Sequence, residues 1–404
     1  MKTNLGITGK TASLSLSVAL LLTLFSLNVK SVLAFCGFFV AKVDANLFNN
    51  RSEVAISNER DRATYSLSFD YKGDPKEFAL ILPVPVILKK PDVKVIPASL
   101  FQRLNDFTAP RLVRYEPFAD RMPSAGMPRS APAPMAEKKP VQVVERFSVG
   151  EYDVVILSAT ESNALATWLE ENQYKIPQGS AKYLKPYVDQ KLYFFVVKVN
   201  IKEQQKLGFN NLRPIQFTVP AKEIMLPFQL GKINSEGTQD IIVYFLSDKG
   251  RVEAKNYTNV MIPSNFAVPQ EIEANFGQFY KDLLTATIKA TRRETVVTEY
   301  AWDTGSCDPC SAQPLDSQEL KQLGMNRDRA FITRLHLQYT KDTYNKDLVF
   351  RVTSDNRSYQ GRYILTPKTV LINDKNAKSA EIKAPYGKQL STVNLPSLFN
   401  KYGK

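Results

Sequence analysis

Between Ala63 and Tyr71 the chain reads ATYSLSFDY, with Tyr65, Leu67 and Phe69 on one side and Ser66, Ser68 and Asp70 on the other. Alternation with a period of two predicts a strand buried on one face. A Gly73-Asp74-Pro75 turn follows, and Phe78 to Leu82 then runs continuously apolar. Such a run predicts a strand covered on both faces. Pro83 and Pro85 keep its end away from the centre of a sheet, because proline donates no ladder hydrogen bond. Behind Pro97, the residues Leu100, Phe101, Leu104 and Phe107 recur at helical spacing and predict a helix over 99–107.

The pattern breaks at residue 117. Prolines stand at 117, 123, 128, 132, 134 and 140, with Met, Ala and Ser between them and little to bury. Burial here cannot offset the entropy of ordering the chain, so 117–146 is expected to be a flexible linker or excursion. Beyond it Tyr152–Leu157 reads as a strand. Ser158 and Glu161 have capping-box spacing ahead of the helical stripe Leu165, Trp168, Leu169. A second helix is expected from Ser180, and KLYFFVVKVNI at 191–201 is too apolar and β-branched to be an exposed strand. Further strands are predicted at 213–219, 240–247 and 251–262. The longest helix is expected over 269–291, with Ile272, Phe276, Tyr280, Leu283, Thr287 and Ile288 along one side. The remaining pattern predicts strands at 294–302, 329–339, 346–353 and 357–365, and a short helix at 317–323 ended by Gly324.

Together these elements predict an α+β fold dominated by strands, with mixed but mostly antiparallel sheets and a few packed helices. The expected divisions are a strand-rich unit at 35–116, the linker at 117–146, a central α+β unit at 147–293 and a strand-rich unit at 294–365. Residues 366–404 carry seven lysines against Asp374 and Glu381, which predicts a loosely ordered basic tail.

Residues 1–34 are expected to be a signal peptide. Lys2 and Lys10 precede the run SLSLSVALLLTLFSLNV at 13–29, and Val32 and Ala34 fit the −3 and −1 positions of a cleavage site before Phe35. An uncleaved anchor is the alternative, although the run barely spans the ~30 Å hydrocarbon core. Removing 1–34 takes three lysines and no acid, lowering the net charge from +13 to +10. With 44% hydrophobic and 23% charged residues, the full chain has the balance of a globular protein with real cores. No later stretch is apolar for 18 residues, so no transmembrane segment is expected once the leader is gone. The expected location is periplasmic or extracellular. No nucleic-acid partner is expected, since neither a phosphate loop nor a basic–aromatic motif is present. The excess charge points instead to an anionic surface or another partner in the cell envelope.

Candidate chemistry is sparse. His336 is the single histidine, which removes Ser-His-Asp and multi-histidine metal arrangements. It lies on the polar side of FITRLHLQY with Arg334 and Gln338, opposite Leu335 and Leu337, and is expected to be solvated or hydrogen-bonded. Cys307-Asp308-Pro309-Cys310 is the one constellation with redox potential. A reactive C-x-x-C sits at a helix N-terminus, whose partial charge stabilises the thiolate. Here Pro314 follows too soon for a helix begun at Cys307 to persist, so a structural disulfide is expected in an exported chain. Cys36 is then a free or bridging thiol. A Cys₃His site from Cys36, Cys307, Cys310 and His336 would consume every ligand the chain has and is not expected. Glu299 and Asp303 flank Trp302 at a spacing common in any protein, and their facing one another is not implied. No cofactor, metal or catalytic residue is expected.

Several blocks resemble a bacterial family known as domain of unknown function 2330. They are CGFFV at 36–40, GDPKEFALILPVPV at 73–86, TAPRLVRYE at 108–116, GEYDVVILSA at 150–159, WLEENQYKIP at 168–177, EYAWD at 299–303, CDPC at 307–310, FITRLHLQY at 331–339 and YQGRYIL at 359–365. The resemblance implies an exported bacterial protein and no established activity. It also implies a further cysteine soon after the TAPRLVRYE block, where this chain has Pro117 and Phe118, so no family pairing of Cys36 carries over. The expected function is a non-enzymatic binding or structural component of the envelope. A thiol–disulfide protein using Cys307 and Cys310 is the alternative.

Overall fold

The alternating run Arg62–Ser68 lies antiparallel to Ser52–Glu59, with Tyr65 opposite Ile56. The structure, a computed structural model, describes residues 38–42, 52–68, 78–114, 142–172, 174–175, 179–207, 212–220, 222–234, 237–367 and 378–402. The expected leader, Cys36 and the proline run at 117–140 lie outside these residues. All described residues belong to the unit Val32–Lys404. The fold is α+β and dominated by strands, as the hydrophobic pattern predicts.

Two sheets form its centre. An eleven-stranded sheet runs in the order 389–394, 379–383, 258–261, 295–303, 331–339, 239–247, 52–59, 62–68, 215–220, 93–95, and 359–360 pairs with 295–303 off that path. A six-stranded sheet runs 142–149, 152–158, 193–199, 78–84, 38–42, 174–175. The sheets share one apolar layer. Leu80, Leu82, Val154 and Phe195 come from the six-stranded sheet, and Ile56, Phe217, Val243, Phe245 and Leu335 from the larger one. Phe217 stacks on Tyr65 at 5.2 Å and meets Phe195 at 5.3 Å across the interface. The outer face of the six-stranded sheet is covered by helices Ser162–Glu171 and Ala181–Asp189. That of the larger sheet is covered by Ser99–Thr108, Ser317–Gln322 and Phe276–Thr291. The layering is therefore helix, sheet, sheet, helix, and the central strands must be apolar on both faces. Strand Tyr193–Val199 shows this, sending Phe195 and Val197 into the inter-sheet layer and Phe194 and Val196 toward the helices.

Among the described residues, sheet pairing joins the stretches expected as separate units at 35–116, 147–293, 294–365 and 366–404. Ser52–Glu59 runs parallel to Gln239–Ser247, which in turn pairs with Phe331–Tyr339, so all three stretches share one sheet. Pro83 lies inside strand Phe78–Val84, opposite Phe194. The neighbour Phe38–Lys42 reaches only to Ile81, leaving that edge without a described partner where the proline stands.

Several expected boundaries differ. The expected linker 117–146 gives way at Gln142 to strand Gln142–Val149, and the strands expected at 251–262 and 357–365 are each split in two. Ser158 ends the strand Tyr152–Ser158, paired to Tyr193, and the helix begins at Ser162 after Glu161, so the Ser158/Glu161 capping box does not form. The 269–291 segment is a 3₁₀ turn at Gln270–Asn275 followed by a helix at Phe276–Thr291. The basic tail is not loosely ordered over 378–402, which form a hairpin of Ser379–Lys383 and Gln389–Asn394 and the helix Leu395–Phe399. Its charge count misled, because Ala380 and Ile382 alternate inward while Ser379, Glu381 and Lys383 take the outward positions. A formed capping box does stand at Asp316, which accepts from the Glu319 N–H at 2.7 Å while Glu319 accepts from the Asp316 N–H at 3.0 Å. That helix ends as predicted at Gly324. With φ of +93°, Gly324 donates to Lys321 while Met325 donates back to Leu320, a Schellman arrangement. A Cβ there would stand 2.7 Å from Thr64.

Candidate functional site

A buried cluster of charge lies where two apolar clusters meet on the outer face of the larger sheet. Thr298 pairs with Leu335 and Tyr300 with Arg334, which leaves Glu299 as the extra residue of a β-bulge. Bulges re-aim side chains, and this one turns a carboxylate into the protein. Glu299 is fully buried. Its Oε2 accepts from Arg334 Nε at 2.5 Å, and its Oε1 accepts from His336 Nδ1 at 2.6 Å and from the Tyr280 hydroxyl. The other nitrogen of His336, Nε2, donates to Asp240 Oδ1 at 3.0 Å. Arg334 also donates to Asn105 Oδ1 at 3.0 Å and lies over the Tyr244 ring, whose hydroxyl donates to Glu53 at 2.7 Å. Alternation along 331–339 explains why Arg334 and His336 face the same way, and the bulge brings Glu299 between them.

These groups hold one another in their charged forms. Burial pushes the Glu299 carboxyl up, but the His336 and Arg334 charges and hydrogen bonds outweigh it and hold it at about 2. Burial pushes His336 down, and the Glu299 charge with the hydrogen bonds to Asp240 and Glu299 lifts it to about 9. The Tyr280 hydroxyl is raised by burial and by the adjacent carboxylate. A general acid or base works best when it titrates near the operating pH and can reach a substrate. Glu299 and His336 titrate far from neutrality on either side, and each polar atom of the pair is already engaged.

Sequence reasoning placed His336 on a polar strand face beside Arg334, and its hydrogen-bonded environment agrees with that. It did not find Glu299 as their partner. The bulge leaves no trace in the hydrophobic pattern, and Tyr280 read only as part of an apolar stripe. The Glu299–Asp303 pair does not face. Asp303 is half-buried, accepts from the Gly305 N–H at 2.8 Å and lies 3.9 Å from Arg329.

Cys307 and Cys310 are joined, with their Cα atoms 5.0 Å apart. Their loop follows strand Thr295–Asp303, and the next helix begins only at Ser317, so neither sulfur meets a helix N-terminus. The loop is held through its backbone. Arg362 donates to the Asp308 carbonyl at 3.1 Å, as does Gln360, and Arg111 donates to that of Pro309 at 3.3 Å. Cys307 is partly buried against the Leu100–Phe107 cluster, while Cys310 is exposed. The described members of the Cys₃His set do not converge, because the two sulfurs bond each other and both His336 nitrogens face carboxylates.

A buried carboxyl elsewhere, Asp347, is pushed up by burial to about 6 although Gln229 N–H and the Tyr187 hydroxyl donate to it at 3.0 and 2.9 Å. Among the described residues no helix is long and apolar enough to cross a membrane.

No curated protein matches the chain. Among solved structures, the crystal structure of baculovirus P35 aligns over 87% of this chain and 93% of its own at 9% identity, with a TM-score of 0.28. Residues 30–351 match a family model described as an uncharacterized protein conserved in bacteria, and the chain belongs to that family, domain of unknown function 2330.

Proposed function

We propose that this chain is an exported, non-enzymatic binding or structural component of the bacterial cell envelope. The observation that carries the reading is the sealed Glu299–His336–Arg334 cluster. Glu299 and His336 are buried and engage each other, with Arg334 on the second carboxylate oxygen and Asp240 on the second ring nitrogen. Export rests on the leader at 1–34 and on a cysteine pair suited to an oxidising compartment. Fractionation of the producing bacterium tests it. The chain is expected in the periplasmic or extracellular fraction with Phe35 as its first residue, and an intact Met1 chain in the cytoplasm overturns the reading.

The exposed sulfur of Cys310 favours a second reading, a thiol–disulfide protein using Cys307 and Cys310. Redox titration separates the two. A structural bridge is expected to titrate below about −300 mV, whereas a midpoint between about −120 and −270 mV is that of a working oxidoreductase.

A further inference from the structure

A cleft of about 480 Å³ opens between the segment after strand Thr258–Met261, residues 357–359 and the 379–387 turn of the C-terminal hairpin. Arg251 lines it, and only 2% of that residue is exposed. Guanidinium carries five N–H donors in a fixed plane. In Arg251, Nη2 donates to the Asp355 carboxylate and to the Pro385 carbonyl at 3.1 Å, and Nη1 has only the Met261 sulfur at 3.7 Å. Its Nε–H has no acceptor among the described residues. A buried guanidinium proton without an acceptor is costly, and protein, water or a ligand ordinarily supplies one.

The charges around the cleft do not balance. Asp355 is shared between Arg251 and Arg357, which donates to it at 2.8 Å, and Lys383 is paired with Glu381 at 2.7 Å. Buried Glu253 also acts on Arg251 and is itself paired with Arg351 at 2.7 Å, so four cations meet three carboxylates, a surplus of one positive charge. Gly250 keeps Arg251 in place, because its Cα packs where a Cβ would stand 2.7 Å from the Asp355 carbonyl. Ile262, Phe266 and Tyr359 contribute apolar lining beside the polar Ser264, Asn265 and Ser358. One surplus charge, a planar donor and aromatic walls match one class of ligand.

We propose that this cleft binds a small organic monocarboxylate, its oxygens on Arg251 and its apolar body against Phe266 and Tyr359. The proposal deepens the binding reading and rests on it only for the claim that ligand capture is the chain's role. A failed titration leaves the fractionation result standing, and the reverse also holds.

Calorimetric titration of the purified exported chain with benzoate tests it, with benzamide and inorganic phosphate as comparison ligands. Benzoate is expected to saturate a single site in the millimolar range; benzamide, which loses the charge-assisted hydrogen bond, and phosphate, which has no apolar body for Phe266 and Tyr359, are expected to bind at least about tenfold more weakly. Arg251→Lys, which keeps the charge and loses the planar fork, is expected to weaken benzoate by about tenfold or more. Ser379→Trp, placed at the exposed lip, is expected to block entry without disturbing the core and serves if Arg251→Lys does not fold. Absence of benzoate binding overturns the proposal. So does benzamide or phosphate binding as tightly as benzoate, or unchanged benzoate affinity in a folded variant of either kind.

Discussion

Replacing Glu299 with glutamine is expected to cost about 3–5 kcal/mol of stability, the penalty for removing one partner of a buried ion pair. The amide keeps the shape but leaves Arg334 and His336, both buried, facing a neutral group. The same change should alter the pH profile. His336 rises from an unfolded value of about 6.5 to about 9 in the native chain, so its contribution is complete below pH 6.5 and is lost as pH climbs through 9. Glu299 is depressed from about 4.5 to about 2, so its contribution is complete above pH 4.5 and is lost as pH falls through 2. From this cluster the wild-type protein gains most between about pH 4.5 and 6.5. Asp347 works the other way, its raised carboxyl lowering stability as pH rises from about 4 to about 6, and it cancels when the two proteins are compared. Urea midpoints at pH 5.5 and pH 9 provide the measurement. The wild type should lose stability between them and Glu299→Gln should lose much less; equal losses would mean that His336 is not held by Glu299.

Phe195→Ala is expected to destabilise the protein by about 3–5 kcal/mol, the usual range for deleting a buried phenylalanine ring. Phe195 is fully buried and meets Phe217 of the opposite sheet, so its loss opens a cavity in the layer that joins the sheets. Sheets cannot collapse onto such a gap without shifting whole strands, which places this site toward the upper end of the range. Tyr386→Ala, at a residue 60% exposed, should stay within about 0.5 kcal/mol of wild type. Guanidinium unfolding of the three proteins checks both statements, and a Phe195→Ala cost near that of Tyr386→Ala would refute the two-sheet core.

Elements whose signal is local were legible in the sequence. Alternation and apolar runs located the strands at 62–68, 193–199, 239–247 and 331–339, because side-chain direction in a strand depends only on a residue's own position. The same locality put Arg334 and His336 on one face, and the glycine at 324 ended its helix because few other residues accept a positive φ. What the sequence could not supply was neighbourhood. Residues 52–59 lie beside 239–247, the bulge carries Glu299 to His336, and the lysine-rich hairpin closes the Arg251 cleft. Each of these joins segments far apart in the chain. Loop-closure cost rises only slowly with length, so separation along the sequence says almost nothing about which strand will pair with which. That choice belongs to the packed layers: a strand finds its place where both its faces are covered, and the buried charges of 299, 334 and 336 persist only because the fold brings them together.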